Sequence, residues 1–165
     1  MKIYFPATIT IAAPAAKVWH VIAHEFADIG RWASAIPRSA ALTDLPSPAH
    51  AVVGGRACQA AIPGFSTVHE QFTYYEEDAM RFGYAAVAGL PGLIRRAENH
   101  WAVHAQSPTQ SQVKIRGELE VPKYLGLLVA PLLKWQIGRA GQFTLEELKY
   151  YIEMGKPHPR KAHSR

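Results

Sequence analysis

From Ile137 to Glu153 the chain changes character every three or four residues. Ile137, Ala140, Thr144, Leu148 and Tyr151 recur on one side, and Arg139, Gln142, Glu146, Lys149 and Glu153 on the other. That period predicts an amphipathic helix with one buried and one wet face. The apolar run before it extends the helix back to Leu125, so one long element is expected over Leu125–Glu153. Gly155 followed by Pro157 is a helix stop: glycine accepts the left-handed cap and proline blocks continuation. Pro131 is expected to kink or restart the helix, because it lacks an amide donor and crowds the preceding turn.

Upstream, the period falls to two. Ile3–Ile11 reads as a strand, with Thr8 and Thr10 alternating with Ile9 and Ile11. Pro14 suits the first position of a helix, where its missing amide costs nothing. Val18, Trp19 and Ile22 form the buried stripe of that helix, and a second helical piece follows over Phe26–Trp32. A Pro-, Ser- and Ala-rich stretch from Ser34 to Val53 predicts one short strand near Arg38–Leu42 and a loop after it. Strands are then expected over Gly55–Ile62, Phe65–Tyr75, Met80–Val87, Ala97–Ala105 and Val113–Val121. Their separators are Pro63-Gly64, the charged turn Glu76-Glu77-Asp78, the Gly/Pro loop Gly89–Leu93 and the polar turn Ser107–Gln112. In the long strand Val68, Glu70, Phe72 and Tyr74 share one side. Lys114, Arg116, Glu118 and Glu120 are expected to face water. Alternation with one wet face indicates antiparallel sheet. The class is therefore α+β: an antiparallel sheet of about six to seven strands, two short helices after the first strand, and a long C-terminal helix.

The 165 residues suit one domain over residues 1–155, with residues 156–165 as a basic tail expected to be disordered. The net charge of +5 falls to +1 without Lys156, Arg160, Lys161 and Arg165, so the body is nearly neutral and nucleic acid is discounted. A touch of the basic tail on an anionic membrane is the sharper alternative to a solvated terminus. Lys2 and the apolar run up to Ala16 imitate a secretory signal, but the Thr/Ile alternation and the breaks at Pro6 and Pro14 belong to a strand. No run reaches the ~18 apolar residues needed to cross a bilayer. The single Cys58 excludes an internal disulfide framework and fits a reducing, cytoplasmic setting. Nothing in the sequence sets an oligomeric state.

Strand parity makes one pair of charges conspicuous. If Val68 and Phe72 face inward, Glu70 does too; if Cys58, Ala60 and Ile62 face inward, so does Arg56. The turn between the two strands places Arg56 and Glu70 nearly opposite each other. Inward charges are costly unless paired or used by a ligand. The other reading is a solvated ion pair at the cavity mouth. His20 and His24 stand four apart on a helix, a spacing that can chelate metal, but Lys17 shares their face and they read as solvated surface. His100 and His104 project outward. Metal and cofactor are therefore not expected. The serines lack a hydrolase elbow, and Cys58 reads as a small hydrophobe in the core or cavity wall.

The order of elements, with Ile11-Ala12-Ala13-Pro14, Val18-Trp19, Phe26, Ile29, Trp32, Gly54-Gly55-Arg56, Val68-His69-Glu70, Asp78, Arg81, Tyr84, Asn99-His100-Trp101 and Phe143–Glu153, resembles the START-like or Bet v 1-like helix-grip superfamily. It is most similar to the polyketide cyclase/dehydrase and lipid transport (SRPBCC) group. The resemblance spans roughly residues 3–155. It implies a curved sheet gripping the C-terminal helix around a hydrophobic cavity for a lipid, aromatic or polyketide-like molecule. The chain departs from that pattern by having no paired Cys/His spacing of the Rieske kind, and by Asn99 where such relatives often carry an aromatic. The residues expected around a ligand are Trp32, Arg56, Cys58, Glu70, Phe72, Tyr84, Asn99, Trp101 and Ile137, with Arg56 and Glu70 as polar anchor. Gly89–Leu93 and Ala60–Phe65 are candidate lids. The alternatives are a cyclase/dehydratase-type enzyme, with Glu70 as acid–base and Arg56 or Tyr84 steadying an enolate, and a packed protein-interaction module without ligand.

Overall fold

In the computed structural model, residues 1–60 and 67–162 are described; within the long helix the side chains of 125–130, 132–134 and 137 are outside that description. Seven strands form one antiparallel sheet: β1 (Lys2–Ile11), β2 (Arg38–Leu42), β3 (Gly55–Gln59), β4 (Thr67–Glu76), β5 (Arg81–Ala88), β6 (Arg96–Ser107) and β7 (Gln110–Glu120). Their order across the sheet is β1-β7-β6-β5-β4-β3-β2. Every neighbour is consecutive in sequence except β1 with β7, whose pairing (Ile3 with Leu119, Ile9 with Val113) joins the two ends of the strand-forming region. Between β1 and β2 lie α1 (Ala15–Trp19), a π-helical turn (His20–His24) and a 3-10 helix (Phe26–Arg31). Pro14 occupies the cap just before α1, with extended ψ of 144°, rather than the first helical position.

The long helix, α2, runs unbroken from Lys123 to Met154 with Pro131 inside it, and stops at Gly155 with φ of 67°. At that left-handed position an L side chain would be strained, so the Gly155 stop works as the sequence implies. Leu145, Leu148 and Ile152 are buried against the sheet. The wet face is put to use as well. Lys149 pairs with Glu153 at 3.3 Å and donates to the carbonyl of Thr10, while Glu153 accepts from the amide of Ala12. Those contacts fix the last turns of α2 to the end of β1.

One expectation about sidedness and one about exposure fail for identifiable reasons. Between Phe72 and Tyr74 the pairing with β5 slips by one residue, with Thr73 as the extra residue on β4. A bulge of this kind reverses parity beyond it. Tyr74 therefore stacks on His100 on the outer face, and Tyr75 packs inward against Trp19, Phe72 and Phe82. Glu118 lies on the outer face as expected but is buried there, beneath its ion pair with Lys2 at 2.5 Å.

The tail expectation also fails, through residue 162. Pro159–Ala162 forms a short helix, α3, and Lys161 is buried with its ammonium donating to the carbonyls of Ala33, Ile36 and Pro37. Arg160 donates to Glu146 at 2.7 Å and lies over the Phe143 ring. Arg160 and Lys161 thus close carboxylates and carbonyls on the body.

Candidate functional site

The core comes in two pieces. The larger cluster gathers Val18, Trp19, Phe26, Phe72, Phe82, Tyr84, Trp101, Ile115, Leu145 and Leu148, and the smaller one Ile3, Phe5, Leu119 and Val121. Between them, under α2, is a cavity of about 180 Å³ whose wall includes Phe5, Ile29, Ile36, Arg56, Glu70, Tyr84, Asn99, Trp101 and Ile115. Small residues make the space. Gly117 on β7 and Gly138, Ala140 and Gly141 on α2 face it, together with Ala7, Ala33 and Ala35. A Cβ placed on Gly138 or Gly141 would meet no described atom within 4 Å. At Gly117 it would come within 3.2 Å of the Asn99 side-chain oxygen, so glycine there leaves Asn99 its place.

The two inward charges meet as parity requires. Arg56 on β3 stands directly across from Glu70 on β4, and its Nε donates to Glu70 Oε2 at 2.6 Å. The guanidinium also donates through Nη1 to the carbonyl of Phe26 at 2.8 Å and lies 3.9 Å from the centre of the Phe26 ring and 4.9 Å from that of Tyr84. Burial opposes its charge, but the Glu70 carboxylate outweighs that cost, with help from Tyr84 and Cys58, and the guanidinium is held more firmly protonated than a free arginine. Arginine fits this slot because its flat group can stack and hydrogen-bond together. Glu70 uses only one oxygen on the protein: Oε2 takes Arg56 and, at 3.6 Å, the thiol of Cys58, and among the described residues no donor reaches Oε1. The side chain of Glu70 keeps 14% of its surface exposed against 4% for Arg56, so the carboxylate is the more open member of the pair.

Tyr84 sits on the same wall. Burial pushes its hydroxyl pKa up, reinforced by the Glu70 charge, so it is a neutral donor and acceptor. Burial likewise pushes the Cys58 thiol up to about 12, against the opposing pull of Arg56. Cys58 is thus an inert thiol behind the ion pair.

Of the residues expected around a ligand, Arg56, Glu70, Tyr84, Asn99 and Trp101 line the cavity. Three others do not. Trp32 faces a void of only about 10 Å³ on the far side of Arg56 and Tyr84. Phe72 packs on Phe26 at 4.2 Å between ring centres, in the core. Cys58 lies behind Glu70. Each is inward by parity, but inward means core wherever bulky neighbours fill the space. The side chain of Ile137 and the Ala60–Phe65 lid, except Ala60 itself, lie outside the described residues. The other lid candidate, Gly89–Leu93, is not part of the cavity wall. Unforeseen contributors are the small residues, chiefly Gly117, Gly138 and Gly141. Their signal was present: two glycines in four residues on an otherwise bulky apolar helix weaken it by roughly 1 kcal/mol each, which requires a reason.

The polyketide cyclase / dehydrase and lipid transport family matches residues 3–153. A search of curated proteins gave no match. Among solved structures the chain is similar to a START superfamily protein from Mycobacterium smegmatis (TM-score 0.74, 15% identity, 93% of this chain and 99% of that one). It is also similar to a protein from Thermobifida fusca (TM-score 0.69, 20% identity, 94% and 97%). A third is norcoclaurine synthase from Thalictrum flavum in complex with dopamine and hydroxybenzaldehyde (TM-score 0.67, 15% identity, 96% and 90%). At these identities the structures establish the fold, a curved sheet around a C-terminal helix. The sequence match over residues 3–153 establishes more: this chain belongs to the polyketide cyclase / dehydrase and lipid transport family.

Proposed function

We propose that the protein binds a small hydrophobic molecule of about one ring in the cavity between the sheet and α2, anchored through a hydrogen-bond donor to Glu70. The observation that carries this reading is the unfilled space of about 180 Å³ beside a carboxylate with one oxygen unused by the protein. An apolar cavity of ~150 Å³ holds a benzene ring, whereas drug-sized ligands occupy ~300–1,000 Å³. The volume therefore favours a single-ring aromatic over a multi-ring polyketide or a long acyl chain. The norcoclaurine synthase of like fold is complexed with dopamine and hydroxybenzaldehyde, each a molecule of one ring. A hydroxyl or amine on such a ring would meet Glu70 Oε1, with Asn99 and Tyr84 as further polar partners on the wall. Arg56 orients the carboxylate through its Nε hydrogen bond.

A second reading, chemistry of the cyclase or dehydratase type, is favoured by one observation: Glu70 and Tyr84 line the same cavity. In that reading Glu70 takes up a proton and the neutral Tyr84 hydroxyl donates a hydrogen bond to an enolate oxygen. Arg56 is committed to Glu70 and Phe26, so it positions the base. The space under α2 weighs against the packed-module alternative. Native mass spectrometry of the purified protein tests the first reading: a co-purified compound of one ring, absent from Glu70→Gln, is expected. A spectrum of bare protein that also fails to take up p-cresol would contradict it. Turnover of an added ring ketone, lost in Glu70→Gln and Tyr84→Phe, would select the second.

A further inference from the structure

We propose that the outer face of the sheet, opposite the cavity under α2, carries a binding site for a phosphate monoester, built around Lys114 and Arg116 of β7. A concavity of about 460 Å³ opens there, with no acidic side chain in its wall. Two neighbouring rows of cross-strand partners make it. In one, Thr8, Lys114, Ala102 and Arg81 follow each other across β1, β7, β6 and β5; in the next, Pro6, Arg116, His100 and Gly83 do the same. Partners of this kind stand side by side on one face. Small residues shape the dip. Ala102 offers only a methyl group between two long cations, and Gly83 lets the Tyr74 ring stack on His100. Neighbouring strands are about 4.8 Å apart, so Lys114 and Arg81 leave the backbone roughly 10 Å apart on either side of Ala102.

Charge accounting on this wall selects the ligand. Arg81 is already committed, since its Nε donates to Glu76 Oε2 at 2.7 Å. His100 Nδ1 lies 3.2 Å from the Tyr74 hydroxyl; with the hydroxyl donating, the ring keeps its proton on Nε2 and is a neutral donor. Lys114 and Arg116 are different. Among the described residues neither has a carboxylate partner, and Arg116 only rests over the Tyr4 ring at 5.5 Å. The acids in the next row are claimed by others: Glu118 by Lys2 and Glu98 by Arg96. Two uncompensated cations therefore stand about 7 Å apart on one strand and repel each other. A carboxylate would answer only one of them. The dianion of a phosphate monoester balances both, and its terminal oxygens can accept from the Arg116 guanidinium, the Lys114 ammonium and the His100 N–H together. The concavity is larger than a phosphate group, so the organic part of the ester has room beside Pro6 and Ala102.

The test is calorimetric titration of the full chain with glycerol 3-phosphate in a low-salt buffer at about pH 8, where the ester is dianionic. Lys114→Gln, Arg116→Gln and the double variant are run beside it, with acetate as the singly charged control. One saturable ester per chain is expected, bound more tightly than acetate and more weakly as salt is added. Each single change should weaken binding by about two- to fivefold and the double change by about tenfold. Amide NMR shifts on titration should centre on residues 100–102 and 114–116 and leave residues 138–141 unmoved. Co-sedimentation with vesicles containing phosphatidate separates two sources of the ester. Tighter binding to the vesicles, lost in the double variant, assigns the site to a lipid headgroup; tighter binding of glycerol 3-phosphate assigns it to a soluble metabolite. Absence of saturable binding to either, acetate binding as tightly, equal affinity in the double variant, or shifts centred elsewhere would each overturn the proposal. Lys114 and Arg116 are both exposed, so thermal unfolding should show the fold retained in every variant.

Discussion

Glu70 and Arg56 show how one ion pair can serve both the fold and a site. The guanidinium is nearly sealed, satisfied by Glu70, by the Phe26 carbonyl and by two ring faces. Removing the charge of Glu70 leaves that guanidinium buried without its counter-ion. Such losses cost about 3–5 kcal/mol in buried pairs, and the partial exposure of Glu70 places this one toward the lower end. Glu70→Gln is therefore expected to lose roughly 3 kcal/mol in urea unfolding, and Arg56→Met/Glu70→Leu, which removes both charges, much less. Glu77 makes a separate prediction. Burial would raise its pKa, but the nearby Trp19 indole and the hydrogen bonds with Tyr75 and His24 outweigh it and hold the carboxyl below its usual range. A lowered carboxyl pKa stabilises the fold above the unfolded value, and that share is lost as the pH falls through the folded value. Stability should therefore fall more steeply in wild type than in Glu77→Gln as the pH drops below about 4.5. Opposition of Arg56 and Glu70 was legible from parity alone. What parity omits is volume, which is why Trp32, Phe72 and Cys58 were inward yet not at the cavity.

At the scale of elements, β4 and the C-terminal segment were the least legible, for different reasons. The bulge at Thr73 leaves no mark in the alternation of β4, because Tyr74 and Tyr75 are chemically equivalent claimants for the inner face. Only the partner strand decides: glycine at position 83 leaves room for the Tyr74 ring, whose Cε1 would lie 2.4 Å from an added Cβ. The C-terminal segment looked like a free tail because it has no apolar stripe. Its attachment is polar: Lys161 donates to three carbonyls at the end of the 3-10 region, and Glu147 on α2 accepts from the amide and hydroxyl of Ser34 in the same loop. Ala33, Ala35 and Ile36 of that loop form one wall of the cavity. Lys161→Met is expected to lower stability by about 1–3 kcal/mol, the cost of leaving buried acceptors without a donor. Hydrogen exchange should quicken at residues 33–37 while β6 and β7 stay protected. The long helix was the most legible element in extent and in its stop at Gly155, although its buried stripe is Leu145, Leu148 and Ile152, one residue round from the Thr144, Leu148 and Tyr151 expected.

The molecule as a whole is a sheet and a helix that do not quite fill the space between them. Consecutive hairpins and one terminal helix follow from the sequence pattern, so the fold was readable almost throughout. The cavity was readable only through resemblance. Hydrophobic patterning reports which face is buried and is silent on whether the buried layers touch. Here they fail to touch because Gly117, Gly138 and Gly141 withhold side chains at the place where the two halves of the core meet. The most direct measurement is calorimetric titration of p-cresol into wild type and Gly141→Leu. Leucine should fill the space and gain up to about 1 kcal/mol of helix propensity, so stability should hold or rise. The account predicts saturable one-to-one binding to wild type, at least tenfold weaker binding to Gly141→Leu, and toluene weaker than p-cresol in wild type because it offers Glu70 no donor. Equal binding to both proteins, or none to wild type, would contradict it.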